Sequence, residues 1–363
     1  MGIISLWVQD FRCFGEALLE PDPSGLTVLQ GPNGAGKTSL LEAIGWLATL
    51  RSFRGAGRDA MVRTGQPRAV LRAELHEADR RIDLEGELPA AAAPRIQLNR
   101  QVVRRRSDLA GAVRVTVFSP DDLQLVQGGP AARRDLLDDL LGSASRRGET
   151  LLADLERVLR QRAALLRQAG GRLSPEVEAT LDVWDSRLAA TGDQVAEARG
   201  QVAARLEPLV EAAYQQLAHR GDDVTLRYRP SWDGPLADAL VRGRVDDLRR
   251  QVTGVGPHRD ELDLAIAARP ARTHASQGEQ RSLALALRLA CHELATVDTG
   301  RRPLLLLDDV FSELDPLRAE ALVGQLPPGQ VLLSTASTPP PSVSVDRVVA
   351  VGGGELRPLG RAS

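Results

Sequence analysis

An eight-residue motif near the N-terminus restricts the fold of this 363-residue chain more than any other feature. The motif matches G-x-x-x-x-G-K-[ST] at every fixed position, and its residues are Gly31-Pro32-Asn33-Gly34-Ala35-Gly36-Lys37-Thr38. An apolar strand candidate precedes it and a helical pattern follows it. Because the glycines let successive N–H groups face an anion at a helix N-terminus, we predict a P-loop that binds nucleotide phosphates. Lys37 would reach the β- and γ-phosphates of ATP, and Thr38 would offer its hydroxyl to Mg²⁺.

Lys37 is also the only lysine among 46 basic residues; the other 45 are arginines. A composition that favours arginine explains the 45 but does not explain the exception. The guanidinium group is forked and planar, whereas the ammonium group is a compact point charge on a slim stem. We therefore interpret Lys37 as the one position where arginine cannot replace lysine.

Composition limits the class of protein further. A hydrophobic content of 43% and a charged content of 26% are typical of globular chains. No apolar run approaches the roughly 20 residues that span a bilayer, and the N-terminus lacks the pattern of a secretory signal. Two cysteines, Cys13 and Cys291, favour a reducing cytoplasm. The net charge of −2 argues against a wholly basic nucleic-acid binder but does not exclude local basic patches.

Strand and helix patterns divide the chain into three segments. Residues 1–120 contain the P-loop and several strand candidates. Residues 251–363 contain a helical pattern from Glu279 to Leu294 and further buried strand candidates, one of them Val331-Leu332-Leu333. Residues 121–250 are mainly helical. We predict an α/β fold in which 1–120 and 251–363 form one ATPase domain, with a parallel or mixed sheet covered by helices. Residues 121–250 would be an inserted helical arm domain.

Two apolar stripes in the inserted segment predict a helical hairpin. The first runs from Leu152 to Leu166, and the second, with heptad-like spacing, from Val177 to Val202. Glycines and a proline separate them, which favours a tight antiparallel connection. The pattern leaves open whether this hairpin packs in a bundle or projects as a coiled coil.

Two acids follow a run of four leucines, Leu304 to Leu307, and this pattern predicts a Walker B strand. A carboxylate at the end of a buried strand can hold the Mg²⁺ that the nucleotide brings. We assign Asp308 to the metal, together with Thr38, and Asp309 to polarising the attacking water, so that both acids are catalytic candidates.

A further motif, Ser276-Gln277-Gly278-Glu279-Gln280, begins 32 residues before Asp308. Ser276 is placed as the N-cap of a long helical pattern, where free N–H groups and the helix dipole point outward. The segment Ser312-Glu313-Leu314-Asp315 lies just beyond the two acids.

The order of these motifs resembles that of an ABC-type ATPase head: first the P-loop, then the S-Q-G-E-Q segment, the Walker B acids and the S-E-L-D segment. The gap of 239 residues between Lys37 and Ser276, filled by a helical insertion, is similar to SMC-like DNA-repair ATPases. Four further segments resemble the bacterial RecF family within this class: Asp10-Phe11-Arg12, Phe118 to Leu123, Gly128-Gly129-Pro130 with Arg133-Arg134, and Gly256-Pro257-His258-Arg259-Asp260.

The RecF resemblance implies an ATP-driven homodimer that closes around DNA. Each ATP would lie between the P-loop of one subunit and the S-Q-G-E-Q segment of the other, with Ser276 and the Gly278 backbone at the γ-phosphate. The implied nucleotide-binding set outside the P-loop is Ser276, Gln277, Gly278, Gln280 and Asp315, the last at the dimer seam. The resemblance also implies binding to single-stranded and linear double-stranded DNA at gap junctions, and weak DNA-stimulated ATPase activity that acts as a switch. It further implies loading of the recombinase RecA together with the mediators RecO and RecR, and support of replication and the SOS response.

Several positions depart from the family pattern or stay open. The second acid is Asp309 where ABC ATPases mostly place Glu, which predicts slow hydrolysis, and Thr335 stands where a switch histidine is usual. The Q-loop glutamine is either Gln124 or Gln127. His258 is either a turn residue or an active one.

The DNA-contacting arginines are likewise unassigned. Residues 51–114 contain 14 arginines and 8 acids, including Arg104, Arg105 and Arg106. Two alternative functions are an ATP-binding subunit of an ABC transporter, which would need a membrane partner, and a small P-loop kinase. The kinase hypothesis assigns no function to the motifs between Ser276 and Asp315.

Overall fold

The computed structural model describes residues 2–77, 80–103, 108–109, 112–219 and 221–360. The helices in chain order are α1 (Lys37–Thr49), α2 (Arg58–Met61), α3 (Gln124–Gln127), α4 (Pro130–Ala144), α5 (Arg146–Gln168), α6 (Pro175–Ala218), α7 (Leu236–Arg250), α8 (Ala271–His274), α9 (Gln277–Thr299) and α10 (Pro316–Gln325). The strands are β1 (Gly2–Phe11), β2 (Phe14–Leu19), β3 (Leu26–Gln30), β4 (Arg68–Glu77), β5 (Arg80–Pro89), β6 (Arg95–Leu98), β7 (Gln101–Val102), β8 (Val115–Phe118), β9 (Val224–Arg229), β10 (Glu261–Ile266), β11 (Arg269–Pro270), β12 (Leu304–Asp308), β13 (Val331–Thr335), β14 (Arg347–Gly352) and β15 (Glu355–Gly360).

The chain separates into two compact units. The first contains residues 1–122, 216–219 and 284–363, and the second contains residues 123–215 and 220–283. The predicted return to the ATPase domain at residue 251 differs from this division at residue 283. The physical reason is that β10 pairs along its whole length with β9, which draws residues 261–266 into the second unit. Among the described residues, no helix is both long and apolar enough to cross a membrane.

A six-stranded sheet forms the centre of the first unit, in the order β15-β14-β3-β13-β12-β8. Its strands run parallel from β14 to β8, and only the edge strand β15 is antiparallel. The central strands β12 and β13 are buried at every position, as the continuous leucine runs predicted. The predicted strands at Leu304–Leu307 and Val331–Leu333 are confirmed, and their carboxyl ends lie beside that of β3, which precedes the P-loop.

A second sheet of the first unit is antiparallel, in the order β2-β1-β4-β5-β6-β7. Its apolar face and the central sheet share one core with α1, which contributes Leu40, Ile44 and Trp46. Gly86 of β5 is required by this packing, because a Cβ atom there would lie 2.4 Å from the Trp46 ring. The P-loop helix is therefore fixed on its apolar side by the core of the first unit.

The predicted helical hairpin is confirmed as α5 and α6 in the second unit. It packs in a bundle, because α7 closes the apolar seam along the hairpin. One cluster joins Leu155 of α5, Leu188 of α6 and Leu240 of α7, and a second joins Leu166, Leu181 and Leu248. The second cluster lies near the turn of the hairpin. The three helices therefore pack as a bundle over most of the length of the hairpin.

Candidate nucleotide site

The P-loop connects β3 to α1 through a turn that requires glycine at Gly31 and Gly36. Gly36 is the N-cap of α1 with φ 105°, a left-handed conformation that favours glycine. A Cβ atom at Gly36 would lie 2.6 Å from Cζ of Phe14 and 2.7 Å from Sγ of Cys13. At Gly31 a Cβ atom would lie 2.1 Å from the Val351 carbonyl oxygen. The fixed glycines of the motif are thus required by conformation and by close approach.

Lys37 is the first residue of α1 and is only 6% exposed. Its Nζ donates to the carbonyl oxygens of Gly31, at 2.8 Å, and Pro32, at 3.0 Å. The ammonium group is therefore folded over the loop, where it satisfies two backbone acceptors of the P-loop itself. The intervening residues Asn33, Gly34 and Ala35 complete the turn.

The P-loop and the Walker B strand meet through a direct hydrogen bond. Oγ1 of Thr38 donates to Oδ1 of Asp308 at 2.7 Å. Oγ of Ser334 donates to the same oxygen at 2.6 Å, because Ser334 is the register partner of Asp308 on the neighbouring strand β13. Sequence reasoning missed Ser334 as a site residue. A small hydroxyl residue at the carboxyl end of the strand beside Walker B was the available signal.

Asp308 lies in an environment that disfavours its charged form. Burial raises the pKa of the Asp308 carboxyl above its ordinary value, and the negative charge of Asp309 raises it further. The hydrogen bonds from Ser334 and Thr38, and the positive charge of Arg54, act in the opposite direction on this pKa. A divalent cation next to Asp308 would favour the ionised form, so the hydroxyl and carboxylate pair fits an Mg²⁺ ligand set.

Arg54 is a second residue that sequence reasoning missed. It lies in the loop after α1, and its backbone N–H donates to Oγ of Ser52 at 3.1 Å. Ser52 donates in turn to the buried carboxylate of Glu42, which also receives two hydrogen bonds from Arg12 at 2.7 and 2.6 Å. This network ties the Asp10-Phe11-Arg12 segment to the loop that carries Arg54. No sequence signal distinguished Arg54 from the other arginines of residues 51–114.

Asp309 follows β12 in a left-handed conformation, with φ 48°. Its N–H donates to the carbonyl oxygen of Ser334 at 3.0 Å, which fixes the turn. Its Oδ1 is shielded from solvent and has no hydrogen-bond partner within the described part of the chain. Such strain and an unsatisfied acceptor are common at functional sites.

The S-Q-G-E-Q segment lies in the second unit and begins α9. Ser276 and Glu279 form a capping box, in which N and Oγ of Ser276 donate to the Glu279 carboxylate at 2.8 Å. Gln277 is the exposed first residue of the helix, and Gly278 after it is half-buried. Gln280 is buried. In the first unit, Asp315 caps α10 and accepts from the Arg318 N–H at 3.0 Å, and this hydrogen bond lowers the pKa of Asp315.

The structure distinguishes among the residues that the sequence left open. Gln127 donates to Gln280 at 2.7 Å, whereas Gln124 is exposed. The Thr335 hydroxyl is buried and bonded to Ser337 of its own turn. For His258, Nε2 contacts the Thr253 carbonyl oxygen at 2.9 Å, Nδ1 has no partner among the described residues, and burial lowers the pKa of the ring.

Several arginines of residues 51–114 are committed to ion pairs across the antiparallel sheet. Arg72 pairs with Glu85 at 2.9 Å and Arg81 with Glu74 at 3.1 Å, and Arg68 pairs with Glu87. The solvent-facing side of this sheet therefore carries balanced charge. Arg51 and Arg54, in the loop after α1, are exposed. The Arg104–Arg106 run lies outside the described residues.

Comparisons with known proteins agree over almost the whole chain. A profile of the RecF/RecN/SMC N-terminal domain matches residues 2–331. The chain is 42% identical over 353 residues to the DNA replication and repair protein RecF of Streptomyces avermitilis, covering 93% of this chain and 94% of that protein. It is 41% identical over 360 residues to RecF of Acidothermus cellulolyticus, covering 96% of each.

Solved structures give the same result. The structure of the recombination mediator protein RecF with ATP, in the RecFOR pathway, matches with a TM-score of 0.90 at 26% identity, over 99% of this chain and 98% of that one. An SMC head bound to the winged-helix domain of ScpA matches with a TM-score of 0.59 at 14% identity, which shows a similarity of fold. The predicted α/β ABC-type ATPase head is confirmed.

Proposed function

Because this chain belongs to the RecF family of DNA replication and repair proteins, we propose that it is an ATP-dependent switch that binds DNA during recombinational repair and replication. The observation that carries the proposal is the hydrogen bond between Thr38 and Asp308, which joins the two nucleotide motifs across 270 residues of sequence. RecF membership replaces the transporter and kinase alternatives.

Binding of ATP would use the P-loop residues from Gly31 to Thr38. The Lys37 ammonium group, now on two backbone oxygens, would exchange these neutral acceptors for phosphate oxygens. Thr38 and Asp308 would hold Mg²⁺, which supplies charge neutralisation at the β- and γ-phosphates. Asp309, with its free Oδ1, would orient the attacking water. Its short side chain supports slow hydrolysis and hence a weak, DNA-stimulated ATPase that works as a clamp switch.

The second half of each nucleotide site would come from another copy of the chain. Ser276, Gln277 and Gly278 would face the γ-phosphate bound by the partner, and Asp315 would lie at the seam. Gln280, which the sequence also placed in this set, is buried and its side-chain amide is bonded to Gln127, Ala271 and Arg272, so it would support this turn from within its own subunit. The start of α9 supports this proposal, because Ser276 and Gln277 are exposed there and the first N–H groups of the helix, together with its dipole, suit an anion. ATP state and dimerisation would then be coupled, since each half-site lacks part of its contacts when alone.

The proposed targets are single-stranded and linear double-stranded DNA at gap junctions. The homodimer would help RecO and RecR to load RecA, and would thereby support replication and the SOS response in the cytoplasm. The contacts to DNA would be mainly to phosphates, and arginine would make them, because Lys37 is the only lysine and is assigned to ATP.

The experiment that tests the proposal measures ATP hydrolysis and oligomeric mass with and without gapped duplex DNA. We expect an ATP-dependent dimer and a hydrolysis rate that rises when DNA is added. The Lys37→Met variant should form no dimer with ATP while keeping the far-ultraviolet circular dichroism of the wild type. An ATP-dependent dimer of this variant, or a wild-type protein that does not respond to DNA, would contradict the proposal.

A further inference from the structure

Two sequence motifs without an assigned role are joined in the second unit. Arg133, from the Gly128-Gly129-Pro130 segment with its two arginines, donates from Nε and Nη2 to both oxygens of Glu261, at 2.8 and 3.0 Å. Arg134 donates to the Asp260 carbonyl oxygen at 2.8 Å. The paired arginines of one motif therefore hold the end of the Gly256–Asp260 motif, although 128 residues separate Arg133 from Glu261.

Arg133 also fixes the short helix that precedes its own motif. Its Nη1 donates to the carbonyl oxygens of Leu125, at 2.8 Å, and Gly128, at 3.1 Å. The side chain is 6% exposed, so these hydrogen bonds form away from solvent. Gly128 makes the turn possible, because a Cβ atom there would lie 2.4 Å from the Gln124 carbonyl oxygen. The backbone on both sides of Gln127 is consequently held in one conformation.

Gln127 connects this fixed segment to the start of α9. Its Nε2 donates to Oε1 of Gln280 at 2.7 Å. The side-chain nitrogen of Gln280, Nε2, donates to the carbonyl oxygens of Ala271 and Arg272, each at 3.1 Å. Gln280 therefore ties α8 to the first turn of α9, and Gln127 occupies its remaining amide oxygen.

We propose that Gln127, held by Arg133, is a positioning residue for the ATP-facing first turn of α9. The inference rests on the proposed function, in which Ser276 and Gly278 meet the nucleotide of the partner subunit. A pre-organised donor set loses less conformational freedom when the dimer closes, and so binds more tightly. Gln127 does not contact ATP in this scheme; it acts through Gln280.

The test compares Gln127→Ala with Gln194→Ala, an exposed glutamine of α6 whose Nε2 donates only to Ala190 of its own helix within the described residues. The net contribution of one hydrogen bond corresponds to about a factor of five in an equilibrium constant, and a dimer contains two copies of the Gln127–Gln280 hydrogen bond. We therefore expect Gln127→Ala to raise the dissociation constant of the ATP-bound dimer about 25-fold, measured by sedimentation. Gln194→Ala should leave it unchanged. The affinity of the monomer for ATP, measured by dilute fluorescence titration, should not change in either variant.

A double-mutant cycle separates positioning from a general structural role. If Gln127 acts through Gln280, the variant that combines Gln127→Ala with Gln280→Ala should dimerise as weakly as Gln280→Ala alone. Additive effects, a wild-type dissociation constant for Gln127→Ala, or an equal loss of monomer ATP affinity would each overturn the inference. Ser276→Arg provides the separate check on the proposed function. If that variant dimerises with ATP like the wild type, the trans arrangement fails and the inference fails with it.

Discussion

The Lys37 ammonium group has two acceptors in the backbone of the P-loop itself. Its hydrogen bonds to Gly31 and Pro32 hold the side chain across the mouth of the P-loop. Binding of phosphate would replace neutral carbonyl partners with charged ones at almost the same place, so little side-chain freedom remains to be lost. A slim ammonium group fits this fold-back, whereas a planar guanidinium group needs a wider space.

Lys37→Arg should therefore weaken ATP binding although it keeps the charge. Hydrogen bonds to charged groups contribute about 1.5–3 kcal/mol, so we expect a loss of about 10- to 100-fold in affinity. Fluorescence titration with a labelled nucleotide measures this change. Arg51→Lys, at an exposed position, is the matched control and should bind like the wild type. Unchanged affinity of Lys37→Arg would show that the position does not require an ammonium group.

Asp308→Asn should stabilise the nucleotide-free protein at pH 7. Burial raises the pKa of Asp308 in the folded state, so the ionised carboxylate opposes folding above that raised pKa. Below the unfolded-state value of about 3.9 the carboxyl is neutral in both states, and the difference disappears. Thermal denaturation between neutral and acid pH should show a higher Tm for the variant, which shrinks as the pH falls. A lower Tm at pH 7 would contradict the prediction; the exposed Asp193→Asn is the control.

At the scale of elements, a buried charge network holds the three-helix bundle together. Arg162 of α5 is fully buried and donates to Asp185 of α6 and Asp247 of α7, both at 2.7 Å. It also donates to Thr253 at 2.9 Å, and Arg244 donates to the second oxygen of Asp185 at 2.8 Å. The network links all three helices at one level and so fixes their register.

Arg162→Leu should destabilise this bundle strongly, because it leaves the buried carboxylate of Asp247 without its cation and leaves Asp185 with Arg244 alone. Breaking a buried pair in this way costs about 3–5 kcal/mol. Hydrogen exchange of the α5 amides would report the loss as faster exchange. Arg160→Leu is the control on the same helix; its ion pair with Glu156 is exposed, and its loss should cost under about 1 kcal/mol. Equal protection in the two variants would show that the network is not stabilising.

The elements were predictable where a local pattern is sufficient. The leucine run of β12, the stripes of α5 and α6 and the P-loop each carry a short-range signal in the sequence. Arg54 and the Gln127–Gln280 contact carry none, because their roles depend on partners far away in sequence. Ser334 acquires its role from the register of two parallel strands, and Arg162 from helices that pack only after the chain has folded.

For the whole molecule, the two halves of the proposed nucleotide site lie in different compact units. The P-loop, Asp308 and Asp309 belong to the first unit, and the S-Q-G-E-Q segment belongs to the second. Under the proposed function, one subunit supplies the first half and its partner supplies the second. A substitution in the P-loop half and a substitution in the S-Q-G-E-Q half should then impair the same nucleotide site of the dimer when they lie in different subunits, which leaves the other site intact.

Mixing two inactive variants should restore one site. Lys37→Met and Ser276→Arg should each fail to dimerise with ATP when alone. A mixed dimer, however, contains one site built from the intact P-loop of one subunit and the intact Ser276 segment of the other. We expect mass photometry of the mixture to show an ATP-dependent dimer that neither variant forms. No dimer in the mixture would argue that both defects act within the same subunit.

The buried single lysine has a further, practical consequence. A protease that cuts only after lysine has one site in this chain, between residues 37 and 38, inside the nucleotide loop. Because Lys37 is covered and is the first residue of α1, cleavage requires that the start of this helix opens. The rate at which the chain is cut into residues 1–37 and 38–363 therefore reports how often the start of the helix opens. ATP should lower this cleavage rate, and the measurement needs no label or engineered reporter.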